Sequence, residues 1–176
     1  VVTIHDVIFR HFPRCYRPID RTIYDYKFGR AARNATRVIA ISECTRRDII
    51  DFYGISPKKI DVVYQGCDPQ FAHPVDHSRA DEVKRKYAID RPYIIGVGTV
   101  EERKNQLLTI KALRGLPDDI IAVIVGRRTR YAAEIDRFIA ANALHDRVRF
   151  VENADFADFP ALYAGALFSS YPSRYE

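Results

Sequence analysis

The sequence contains no methionine and no tryptophan, has only three cysteines, and lacks any apolar run near the roughly 18 residues that a membrane-spanning helix needs. Runs such as Ile120 to Val125 suit a buried strand, so a transmembrane protein is excluded. Cys15, Cys44 and Cys67 are odd in number, widely spaced and without a C-x-x-C pair. That pattern excludes a disulfide framework, a zinc knuckle and a dithiol redox motif, and fits three reduced thiols in the cytosol. Eight glycines and nine prolines are too few for a collagen-like or low-complexity chain. Without methionine, and with Val1 first, the sequence reads as an excerpt. The stretch Val1 to Asp6 has neither the basic nor the long apolar region of a signal peptide.

What is present is an ordinary soluble globular composition, 47% hydrophobic and 29% charged over 176 residues. At about 150 residues per domain, that length allows one domain or two small ones. The net charge is +5, and the excess is concentrated. Between Arg10 and Arg37 eight bases face only Asp20 and Asp25, with Tyr16, Tyr24 and Tyr26 interleaved. No zinc-finger, homeodomain or RNA-binding signature accompanies them, so nucleic acid is not the expected partner. A solvated basic face, an anionic membrane surface and a phosphate-bearing substrate remain open for this segment.

Short β-branched runs alternate with amphipathic stretches, which predicts an α/β fold with parallel strands buried on both faces. Strands are expected at Val1 to His5, Val38 to Ile41, Ile60 to Tyr64, Tyr93 to Gly98, Ile120 to Val125, Val148 to Val151 and Leu167 to Tyr171. Helices are expected at Ile19 to Ala35, Glu43 to Tyr53 with Ser42 as N-cap, Arg79 to Tyr87, Gln106 to Arg114, Tyr131 to Ala143 and Phe156 to Ala164. The stretch 66–78, with Gly66, Pro69 and Pro74 and no periodicity, reads as a linker between units at 1–65 and 79–176.

Chemistry concentrates where the fourth strand ends. Gly96-Val97-Gly98-Thr99 is followed by Arg103 and Lys104 and then a helix, a phosphate site in outline: glycines admit a ligand to the backbone, and the two bases supply charge. The dinucleotide fingerprint would need glycine where Glu101 stands, and no Walker lysine follows a suitable loop. His73 and His77 have metal-ligand spacing, but Pro74 intervenes and the pair is not part of an H-E-x-x-H pattern. No Asp-x-Asp occurs.

Taken in order, several segments resemble a family-four, GT-B-type glycosyltransferase of the large retaining group. They are Thr3-Ile4-His5-Asp6, Ala40-Ile41-Ser42, Tyr53-Gly54-Ile55, Gly66-Cys67-Asp68, Gly98 to Asn105, Leu162-Tyr163 and Tyr171-Pro172-Ser173-Arg174-Tyr175-Glu176. The resemblance implies two incomplete Rossmann-like units: the end of an acceptor-side domain, and the first part of a nucleotide-sugar domain. It implies a nucleotide-diphosphate sugar as donor, a glycan or lipid-linked acceptor, and no metal or other cofactor. Arg103, Lys104, Gly98 and Thr99 would hold the donor diphosphate; Glu176 would orient the sugar; His5 would lie beside it; Asp6 would belong to the acceptor side or cleft. The Thr-Ile-His-Asp segment leans towards bacterial mannosyl and related surface-polysaccharide transferases, acting in the cytoplasm or peripherally on the inner face of the membrane. By the same resemblance, residues 1–176 alone would be inactive. Cys67 and the glycine-free Glu152-Asn153-Ala154 depart from the family pattern. A non-catalytic nucleotide-sugar-binding module and a nicotinamide-dependent oxidoreductase are the alternatives, the second disfavoured by the missing third glycine.

Overall fold

The structure is a computed structural model and describes residues 1–175. It divides into two compact units, Val1–Cys67 and Asp68–Tyr175.

In the first unit the order is β1 (Val2–Ile4), α1 (Ile8–His11), α2 (Pro18–Asn34), β2 (Val38–Ala40), α3 (Glu43–Tyr53) and β3 (Ile60–Val62). The strands form a parallel sheet in sequential order, with Ile4 beside Ala40 and Ala40 beside Val62. Ile4, Val7, Phe9, Val38, Ile49 and Ile60 are buried at its core. Ser42 caps α3 as expected, its hydroxyl accepting the Thr45 N–H at 3.0 Å. Gly54, at φ +63°, closes the helix in the left-handed conformation that glycine adopts at no steric cost. The three strands end one or two residues before the predicted ones, and β1 also begins one residue later. The four-residue α1 is too short to leave a helical period in the sequence; the Asp6 carboxylate starts it by accepting the Ile8 N–H at 3.0 Å. Helix α2 lies close to α3: a Cβ at Gly29 would stand 3.1 Å from the Tyr53 ring. The Tyr53 hydroxyl donates to Asp25 at 3.1 Å, and burial followed by the Asp25 charge pushes its pKa up to about 12.

The second unit runs α4 (His77–Lys86), β4 (Tyr93–Val97), α5 (Gln106–Ala112), β5 (Ile121–Val125), α6 (Ala132–Ala141), β6 (Val148–Val151), α7 (Phe159–Ala164) and β7 (Phe168–Ser169). All four strands are parallel, in the order β6-β5-β4-β7. Alternate residues enter two separate cores. Ile94, Ala122 and Ile124 pack with Leu107 and Ile110 of α5 and Ile135 of α6. Tyr93, Ile95 and Val123 pack with Val83 of α4 and Leu162 of α7. Both faces of β4 and β5 are therefore covered, which is why these two strands read as continuous apolar runs, whereas β7 is exposed and only Val151 of β6 is buried. The predicted helix at Phe156 to Ala164 is a 3-10 turn at Phe156–Asp158 followed by α7. His77 opens α4 whereas His73 precedes it, so the two do not share a helix.

One carboxylate ties α4 to α7. Asp158, 2% exposed, accepts from Arg79 at 2.5 Å, Lys86 at 2.7 Å and the Tyr87 hydroxyl at 2.7 Å. Burial alone raises its pKa, but the hydrogen bonds and charges of Lys86, Tyr87 and Arg79 outweigh it and hold the group below the ordinary carboxylate value. A depressed folded-state pKa means that this stabilisation is complete above the unfolded value, about 4, and is lost as pH falls through the folded one. Asp158→Asn is expected to cost about 1–3 kcal/mol at neutral pH, with a gap to the parent that closes in acid. Urea melts of both proteins from pH 7 to pH 3 check this; a pH-independent gap would contradict it.

Candidate functional site

The sequence-predicted phosphate loop is built by two glycine turns set against each other. Gly98 follows β4 at φ +133° and Gly126 follows β5 at φ +148°. The Gly98 N–H donates to Val125 O at 2.8 Å, and a Cβ at Gly126 would stand 2.2 Å from the Gly98 carbonyl oxygen. The loop beyond Gly98 is clamped by side chains. Gln106 donates to Thr99 O at 3.0 Å, and the Thr129 hydroxyl donates to Val100 O at 2.6 Å.

Arg103 and Lys104 lie on the 3-10 turn Glu102–Lys104, where successive side chains point about 120° apart. The structure turns them to different tasks. Lys104 passes over the glycine turn, its Cε 3.7 Å from where a Gly98 Cβ would be, and its ammonium meets the Tyr171 hydroxyl and lies 4.7 Å from that ring's centroid. Arg103, only 11% exposed at its side chain, pairs with Glu101 at 2.8 Å and donates to Tyr175 O at 2.7 Å. Its own carbonyl accepts the Arg174 N–H at 2.9 Å. Asn105, in the left-handed conformation at φ 55°, donates to Pro172 O at 3.2 Å, and α5 begins only after it. The loops after β4 and β7 are thus stitched into one surface.

That surface has a topological reason to bind a ligand. From β4 the chain moves outward through β5 to β6, then returns to add β7 on the other side of β4. The order reverses at β4, and the crevice at the carboxyl ends of the strands there is where open α/β sheets take ligands. Lys104 and Tyr171 bridge it.

In the first unit, His5 and Asp6 follow β1 at the carboxyl edge of its sheet. The His5 backbone is fixed by the Thr45 hydroxyl, which donates to His5 O at 3.0 Å, and its ring Nδ1 lies 3.4 Å from Gln65 Nε2. The His5 side chain is exposed, whereas the Asp6 carboxylate is already engaged in starting α1. Nearby on the chain, His11 Nε2 meets the buried Asp48 carboxylate at 3.0 Å, a pair the sequence does not announce because 37 residues separate the partners. Glu176, the expected sugar-orienting carboxylate, lies outside the described residues. Among the described residues no group of three His, Cys, Asp or Glu side chains could hold a metal ion.

Residues 79–176 match the family Glycosyl transferases group 1, and residues 1–71 match Glycosyltransferase Family 4. The chain belongs to the glycosyl transferases group 1 family. Among curated members it is 23% identical to the O-antigen chain mannosyltransferase RfbU of Salmonella typhimurium over 98% of this chain and 45% of that protein. It is 26% identical to O-antigen chain mannosyltransferase B of Escherichia coli, over all of this chain and 47% of the relative. It therefore spans about half the length of those transferases. Among solved structures, Anabaena HepE in complex with UDP and glucose superposes with a TM-score of 0.78 at 22% identity, covering 98% of this chain and 46% of that one. Sucrose-phosphate synthase from Thermosynechococcus elongatus gives 0.73 at 21% identity, over 99% of this chain and 45% of the other. The fold is that of the GT-B glycosyltransferases, as the resemblance implied. Gly126 is the site residue that the motif reading missed in this family member; the sequence signal for it was a second glycine ending a second apolar strand.

Proposed function

We propose that this group 1 glycosyltransferase moves a hexose, with mannose the first candidate, from a nucleotide-diphosphate sugar to a glycan or lipid-linked acceptor with retention of anomeric configuration. The observation that carries this reading is Lys104 held over the Gly98 turn at the point where the strand order reverses. As the glycosidic bond breaks, negative charge grows on the departing diphosphate, and a cation already in place stabilises that charge without reorganising. Lys104 is the group for this task. Gly98 and Thr99 present the backbone, and Arg103 adds charge while fixing the segment that leads to Glu176. Glu176 would orient the sugar, and His5, exposed at the carboxyl edge of the other sheet, would hydrogen-bond a sugar hydroxyl.

The two O-antigen mannosyltransferase relatives support a role in surface polysaccharide synthesis and a mannosyl donor, and the UDP-glucose complex of Anabaena HepE supports a nucleotide-sugar substrate. Cysteine usage fits a cytoplasmic site of action. The complete polypeptide, incubated with UDP-, GDP- and ADP-sugars, is expected to transfer one of them. Proton NMR of the first-formed product should show the donor's anomeric configuration. Turnover should persist in excess EDTA, because Lys104 and Arg103 already supply positive charge at the loop proposed to take the diphosphate. Inversion, or activity that EDTA abolishes and manganese restores, would overturn the corresponding part of the proposal. Nucleotide-sugar binding without any turnover would identify a non-catalytic module.

A further inference from the structure

Gln106, in the first turn of α5, is 3% exposed, and its amide is spent on the backbone of the loop after β4. Its Nε2 lies 3.0 Å from Thr99 O and 3.4 Å from Gly98 O, so the two N–H bonds of one nitrogen serve two carbonyls. Its Oε1 is buried and has no hydrogen-bond partner among the described residues. A buried acceptor left unpaired opposes folding, so stability alone is a weak reason for an amide at this place. Its effect on the loop is a stronger one. With Val100 O accepting the Thr129 hydroxyl at 2.6 Å, each carbonyl from Gly98 to Val100 is held by a side-chain donor. The N–H groups divide differently. The Gly98 N–H donates to Val125 O at 2.8 Å and the Val100 N–H to Arg127 O at 2.9 Å, whereas the Thr99 N–H has no acceptor among the described residues. Across a trans peptide the N–H points opposite to the carbonyl. Fixing Gly98 O against Gln106 and the Gly126 turn therefore directs the Thr99 N–H away from both.

We propose that Gln106 is a positioning residue: by holding Gly98 O and Thr99 O it keeps the Thr99 N–H turned out of the loop, where that N–H donates to an oxygen of the nucleoside diphosphate. The inference rests on the reading of this loop as the diphosphate site. A backbone donor fixed before the ligand arrives stabilises the charge growing on the departing diphosphate without reorganising, whereas a donor that must first be turned loses that advantage. Lys104 crosses the same glycine turn, so the neutral donor would work beside a charged one. Glutamine suits the post because an uncharged amide holds two carbonyls at once. A glutamate of the same shape would set a carboxylate, which only accepts, against two carbonyl oxygens.

The test uses the complete polypeptide with isotope-labelled threonine, the Thr99 amide resonance being identified by its loss in Thr99→Ser, and UDP, GDP and ADP as probes. In the parent, the nucleoside diphosphate that binds tightest is expected to move the Thr99 amide proton downfield, the mark of a new hydrogen bond. In Gln106→Met that shift should be lost and affinity for the same nucleoside diphosphate should fall about tenfold. The loss in kcat/KM should be larger, about a hundredfold, because the charge to be met is greatest in the transition state. Gln106→Glu should resemble Gln106→Met at neutral pH but regain affinity as pH falls, because its carboxyl, once protonated, donates an O–H to Thr99 O. Gln106→Met should show no such recovery. The parent's own Thr99 shift decides the matter even where a variant fails to fold. A Thr99 amide that stays in place while the parent binds nucleoside diphosphate would overturn the inference and leave the diphosphate reading standing. So would parental affinity and turnover in Gln106→Met, or pH profiles for the two variants that run parallel. A parent that binds none of the three nucleotides would end the diphosphate reading, and this inference with it.

Discussion

Replacing Lys104 with alanine in the complete polypeptide is expected to lower kcat/KM by roughly a hundredfold or more, about 3 kcal/mol, the scale of removing one preorganised transition-state donor. The ammonium is tethered by Tyr171 above a glycine turn with no side chain of its own, so it meets an incoming anion without first being ordered. If the diphosphate is its target, the loss should be the same for every accepted nucleotide sugar, and affinity for the bare nucleoside diphosphate should fall with it. The ligand-free melting temperature should barely move. Arg103→Ala is expected to reduce turnover comparably but to destabilise as well, by about 1–3 kcal/mol, because its guanidinium joins Glu101 to Tyr175 O beneath the segment 172–175. Steady-state kinetics, titration calorimetry with nucleoside diphosphates and thermal melts of the two variants separate these effects. Parental turnover and nucleotide affinity in Lys104→Ala would leave the phosphates to backbone groups and end the assignment.

The contrast between these neighbours shows what sequence reveals about a site and what it does not. Strand and helix alternation, the Ser42 cap and the glycine turn after β4 depend on residues near one another in the chain, and each is legible there. That Arg103 and Lys104 are adjacent bases is legible too. Their divergence is not, because it follows from a three-residue 3-10 turn closed by a left-handed Asn105, and from contacts to residues about 70 positions away. The same holds for Asp158, whose sequence neighbours give no hint that Arg79, Lys86 and Tyr87 converge on it. The four-residue α1 is missed for another reason: one turn of helix is shorter than the period that would betray it.

Gly126 is the strongest case of a residue whose role exists only in three dimensions, and Gly126→Ala is expected to be the most damaging small substitution in the second unit. Two costs coincide there. The backbone sits at φ +148°, which is strained for any residue with a side chain, by about 1–3 kcal/mol. In addition, the new methyl would lie 2.2 Å from the Gly98 carbonyl oxygen and 2.6 Å from its carbon, and neither atom is the movable end of a side chain. Relief requires the β4 and β5 turns to separate, breaking the Gly98 N–H to Val125 O bond and displacing the loop that carries Lys104. A total loss above about 4 kcal/mol, or failure to accumulate as folded protein, is expected. Gly98→Ala isolates the first cost: φ is +133°, but the nearest atoms are the Lys104 Cε and Cδ at 3.7 and 3.8 Å, so strain without collision should leave a folded protein destabilised by about 1–3 kcal/mol. Gly115→Ala, where a Cβ would meet nothing within 4 Å, serves as the neutral reference. Denaturant melts of the three variants should rank Gly126→Ala far below Gly98→Ala and Gly115→Ala near the parent. A Gly126→Ala protein as stable as Gly98→Ala would mean that the two turns do not abut, and the phosphate loop would need another support.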